Sequence, residues 1–121
     1  MYQSSYFKYI NTSNPDEMIG RLYLDLKQKG YINCSRTIFK SIFIKGKNPE
    51  KVNWLETQSS FYFFIKSLTG MKNINCSNKW VVASGCFLVK GKEQDSIQLG
   101  KVKEPTHRIK QEINNILQVF L

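Results

Sequence analysis

Histidine occurs once in this chain, at His107, and cysteine three times, at Cys34, Cys76 and Cys86, with no C-x-x-C pair. A Cys/His zinc site needs more ligands at closer spacing. So sparse and odd a set of thiols points to reduced cysteines in a cytosolic setting rather than to a disulfide framework. The nine carboxylates are scattered along the chain, which leaves no cluster for a hard cation. Glycine-rich nucleotide fingerprints are missing. No apolar run reaches membrane-spanning length. The stretch from Met1 to Ile10 is aromatic and polar, without the cationic start and apolar middle of a secretory signal. The expectation is a soluble, cytoplasmic protein with no metal, no cofactor and no membrane partner. Cys34 with His107 is the one nucleophile–base pair to consider, and lone residues of these types are usually structural, so the chain reads as a non-enzyme.

What is present is aromatic bulk and positive charge. The 121 residues are 41% hydrophobic and 13% aromatic, enough for one domain with a real core. Formal net charge is +9, a balance that favours phosphate-rich partners. A discount applies, because most of the 18 basic residues are lysine and only Arg21, Arg36 and Arg108 are arginine. Lysine, asparagine and isoleucine together are what AT-rich codons supply, and arginine is the better geometric reader of phosphates and guanine edges.

A tetrapeptide occurs twice, as Ile32-Asn33-Cys34-Ser35 and Ile74-Asn75-Cys76-Ser77. The same register lays Ile19, Leu22, Tyr23 and Leu26 on Phe61, Phe64, Ile65 and Leu68, the apolar stripes of two helices. Downstream, Phe43-Ile44-Lys45-Gly46-Lys47 is echoed, two residues late, by Phe87-Leu88-Val89-Lys90-Gly91-Lys92. A period of about 40 residues is typical of paired helices. The fold class expected is therefore mainly α: a compact helical domain of two helix-turn-helix-like units, near 15–47 and 57–92, plus a C-terminal helix and a short strand or hairpin.

In chain order, the aromatics of residues 1–12 fall at helical spacing and predict a short helix packed on the body, with a base-stacking arm as the alternative. Asn14-Pro15-Asp16-Glu17 predicts a capped helix start, and Gly30 its end. Ser35 caps a second helix carrying Ile38, Phe39, Ile42 and Phe43, with Arg36 and Lys40 on its other face. Lys45-Gly46-Lys47-Asn48-Pro49 is a turn. Val52 to Leu55 reads as an extended connector that puts Trp54 in the core, and Thr57 caps a central helix over roughly 58–69. Asn78 to Val89 is ambiguous between helix and strand, and the repeat favours helix. Residues 90–105 read as a basic loop or hairpin, and the stripe Ile109, Ile113, Ile116, Leu117 and Phe120 predicts a final helix docked on the body.

Trp54 before the aromatic helix, followed by Asn78-Lys79-Trp80 and Cys86-Phe87, resembles small conserved proteins of Bacteroidetes mobile elements. More distantly the chain is similar to the C-terminal region of RteC-type regulators of conjugative transposons. That resemblance covers roughly residues 18–121 and implies a helical domain, a mobile-element setting and DNA binding. Two functions follow as expectations. One is a nucleic-acid-binding regulator, for DNA or RNA, with phosphate contacts from Arg36, Lys40, Lys45, Lys47, Lys79, Lys90 and Lys92. The other is a small phage- or transposon-encoded inhibitor or adaptor that docks on a host protein or nucleoprotein through exposed aromatics.

Overall fold

The computed structural model describes residues 6–10, 14–44 and 50–120. Helix α1, Pro15–Gln28, starts as its residues dictate: Asn14 Oδ1 accepts the Glu17 amide at 3.3 Å, and Pro15 fills the first position, where no donor is needed. Its stripe of Ile19, Leu22, Tyr23 and Leu26 is buried, and Gly30, at φ 81°, turns the chain away. Helix α2, Arg36–Ile44, is capped by Ser35 Oγ, which accepts the Ile38 amide at 3.3 Å; it buries Phe39, Ile42 and Phe43.

Residues 29–35 joining the two helices are more than a tight turn. Tyr31 and Ile32 are buried there, the Tyr31 amide donates to Leu26 O at 2.9 Å, and Tyr31 O accepts the Leu55 amide at 2.8 Å. DNA-binding helix-turn-helix units use a connection of three to four residues, and the one between α1 and α2 is longer.

Strand β2, Val52–Trp54, enters the core as its apolar run implies. Helix α3, Gln58–Thr69, is capped by Thr57 and is the central helix, with Phe61, Phe64, Ile65 and Leu68 inaccessible to solvent. Its neighbours are α4, Lys79–Cys86, and α6, His107–Leu117; α6 also packs on α1 and continues as a 3-10 turn at Gln118–Phe120. The final helix thus docks on the body as its stripe predicts.

Two expectations are corrected. The N-terminal aromatics do not form a helix within the described residues: Tyr6 to Ile10 run extended, with β1 (Lys8–Tyr9) pairing antiparallel to β3 (Ile74–Asn75). Phe7 is fully buried against Phe43 and Phe87, so it is no stacking arm. The ambiguous stretch is helical only as far as Cys86; β4, Phe87–Val89, pairs parallel to β2. Strand pairing wins here because it places Phe87 among Trp54, Phe61 and Phe64. Beyond it, residues 90–105 are a tight turn and a short helix α5, Ser96–Leu99, which buries Leu99 and leaves Ile97 exposed.

The two-residue offset in the repeat has a physical counterpart. Phe39, Ile42 and Phe43 are buried in the first unit, and Ala83, Cys86 and Phe87 in the second. Among the described residues no helix is long and apolar enough to cross a membrane.

Candidate functional site

Among the described residues, the cations that the sequence assigns to phosphate fall in three places. In the first, α2 presents Arg36 and Lys40 on its outer face, but toward Asp16 in the first turn of α1. The Arg36 guanidinium sits 3.8 Å from Asp16 Oδ2 and lies over Gly20; Lys40 bonds the other carboxylate oxygen. Half of the Arg36 side chain remains exposed. One carboxylate therefore offsets two cations that the sequence assigns to phosphate. Lys45 and Lys47 lie outside the described residues.

In the second, β4 ends in a turn from Val89 to Lys92, closed by paired amide–carbonyl bonds of 3.0 Å between those two residues. Both central residues are left-handed, Lys90 at φ 49° and Gly91 at φ 77°, the signature of a type I′ turn. Gly91 is suited to this conformation; lysine is not, and a non-glycine residue there is strained by about 1–2 kcal/mol. Three contacts hold the turn. The Lys90 amide donates to Trp54 O at 2.7 Å, the Gly91 amide donates to Asn53 Oδ1 at 2.8 Å, and Lys51 engages the neighbouring Glu93 while donating to Ser84 O at 3.0 Å. With Glu93 so occupied, Lys90 and Lys92 stand exposed and contact no described carboxylate within ion-pairing distance.

In the third, Lys79 opens α4 beside Trp80, its ammonium 5.4 Å from the indole centroid. Trp80 stacks on Tyr62 of α3 with centroids 5.2 Å apart and planes within 10°. Lys66 lies over Tyr62 and bonds Glu104 at 2.9 Å, and Lys110 of α6 bonds the same carboxylate. Hydrogen bonds from Lys110 and Lys66 pull the Glu104 carboxyl down to about 2, and the bond to Glu104 pushes the Lys66 ammonium up.

Of the cations that the sequence singles out, Lys90 and Lys92 are exposed and Lys79 is half-buried at the start of α4. The sequence reading missed Asp16 as the counter-ion of Arg36 and Lys40, Asn53 as the clamp of the lysine turn, and Tyr62 as an outward stacking partner. Asp16 lies on a different helix from its partners, so no local spacing signals it.

Thiol chemistry has little support in these surroundings. Burial raises the Cys34 and Cys76 thiols and pushes Cys86 up to about 12, which keeps all three protonated near neutrality. Among the described residues no group of three metal-ligating side chains forms. A groove of about 350 Å³ between α1 and α6 mixes Asp25 and Glu112 with Lys29 and Arg108, so it carries no dominant charge.

Fold and surface define a class: a basic, mainly α protein with two small strand pairs. No family model, curated protein or solved structure matches the chain.

Proposed function

We propose that this protein binds nucleic acid through its lysine-bearing surface and acts as a regulator, a role in keeping with the resemblance to regulators of mobile elements. The observation that carries the reading is the Lys90-Gly91-Lys92 turn. A lysine sits in a left-handed conformation at its apex, where glycine or asparagine costs less. The turn is anchored to the core through Trp54 and Asn53, and its one acidic neighbour in sequence, Glu93, is occupied by Lys51. A backbone outlier kept in place by its surroundings is a reason to look for a use for the side chain it displays. Two ammonium groups on a rigid turn suit phosphates, which are recognised by charge without base identity.

The test is fluorescence anisotropy of labelled DNA and RNA, single- and double-stranded, across a salt series. Affinity should fall steeply with salt, and Lys90→Ala/Lys92→Ala should reduce the slope of log K against log salt by about 1 to 2. Arg36→Ala/Lys40→Ala should change it less, since Asp16 already holds both cations. Salt-insensitive affinity, or none at near-physiological salt, would overturn the proposal.

A further inference from the structure

The two tryptophans have opposite situations. Trp54 is fully buried, its Nε1–H donates to Ser60 Oγ at 3.0 Å, and its ring is enclosed by Tyr31, Phe61 and Phe64. Core packing accounts for it completely. Trp80 is half-buried on the flank of α4, packed at the edge of the core, while Val81 faces outward and Val82, Ala83 and Cys86 are buried. Among the described residues its Nε1–H has no hydrogen-bond acceptor.

Its ring is nonetheless held in place. Tyr62 stacks on it almost parallel, and the end of α5 closes against the indole edge: a side chain at Gly100 would begin 3.3 Å from Nε1. Lysines lie by both rings, Lys79 at Trp80 and Lys66 at Tyr62. Of these, Lys66 is shared with Glu104, while Lys79 makes no ion pair with a described carboxylate.

From this arrangement we infer that the Tyr62–Trp80 pair is a stacking platform for the bases of single-stranded nucleic acid, with Lys79 placed for the adjoining phosphate. The inference rests on the nucleic-acid reading above and specifies the form of ligand. Flat, pre-positioned aromatic rings beside cations bind unpaired bases because each base exposes a π-face, and duplex bases have those faces covered by their neighbours. The Lys79 ammonium, 5.4 Å from the indole centroid, is near enough to meet the phosphate of a nucleotide whose base stacks on the pair.

The buried state of Trp54 makes intrinsic fluorescence a reporter of Trp80. The probes are oligo(dT) and a duplex of mixed sequence, titrated into the full chain. Oligo(dT) should quench the emission and bind at least tenfold more tightly than the duplex. Trp80→Phe keeps a stacking face, so quenching should vanish while affinity stays within about threefold. Trp80→Leu should lower oligo(dT) affinity on the order of tenfold with the salt slope unchanged, since stacking is lost and phosphate contacts remain. Lys79→Gln, which leaves both rings in place, should instead reduce that slope. Anisotropy showing binding without quenching, or equal affinity for duplex, would overturn the platform and leave the broader reading standing. No binding of either probe would overturn both.

Discussion

The Tyr31 hydroxyl donates to Glu112 Oε1 at 2.6 Å, joining the loop after α1 to α6 across 81 residues of sequence. Burial first, and then the bond to the Glu112 carboxylate, push the phenol above its ordinary value of 10.0. Tyr31→Phe should cost about 1–2 kcal/mol near neutrality, because it leaves a part-buried carboxylate short of a donor. Folding favours the protonated phenol, so this stability is present below pH 10 and is lost as pH rises above it. In urea titrations the gap between wild type and Tyr31→Phe should therefore narrow above pH 10. A constant gap would place the bond outside the linkage.

Glu104 gives the opposite sign. Its carboxyl lies at about 2 against an ordinary 4.5, held there by Lys110 and Lys66. The folded state favours the ionised form, so the contribution is complete above pH 4.5 and disappears as pH falls toward 2. Glu104→Gln should flatten the acid limb of a stability–pH curve between those values. The group is exposed, so the effect should shrink as salt is added.

Gly20 lies inside α1 with the Arg36 guanidinium over it. A β-carbon there would collide with Arg36 Nη2. That atom is the far end of a flexible side chain and can swing away. Gly20→Ala should therefore stabilise the protein, by up to about 1 kcal/mol from helix propensity, while releasing Arg36 from Asp16. The urea midpoint should rise, and salt-dependent affinity for nucleic acid should rise with it. A stability lowered by more than about 1 kcal/mol would mean that Arg36 is fixed.

Lys90→Gly separates stability from binding. Glycine accepts φ 49° without strain, so the variant should gain roughly 0.5–1 kcal/mol in thermal or urea unfolding. Its affinity for nucleic acid should fall nonetheless. A gain in both would leave the lysine at that apex without a binding role.

Much of the helical framework is legible from residues alone. Asn14, Ser35 and Thr57 each announce a helix, and the stripes that follow them are the buried faces. What escaped is pairing between distant segments. Tyr2, Tyr6, Phe7 and Ile10 sit at spacings that suit a helix, yet Ile74 and Asn75 supply backbone partners for Lys8 and Tyr9. Phe87–Val89 follows a helical precedent in the repeat, yet Val52–Trp54 lies alongside it. In α5 the cue was available: Asp95 Oδ1 accepts the Ile97 amide at 2.8 Å, so Ile97 and Leu99 alternate on a helical turn rather than on a hairpin. For the surface, residue type identified the cations but could not say which were neutralised. Asp16 reaches Arg36 and Lys40 only once α1 packs on α2, and the backbone of Lys90 is set by contacts from Trp54 and Asn53.

The strand pairings also decide how the molecule can be divided. β1 precedes the first helical unit in sequence but pairs inside the second, beside the repeated tetrapeptide, while both β2 and β4 belong to the later half. A chain severed between α2 and β2 would thus yield an early fragment whose leading strand has lost its edge, with Phe7 deprived of Phe87. The later fragment would retain its own parallel pair but expose the edge of β3. Each piece carries what completes the other, so the halves are parts of one packed body rather than independent modules.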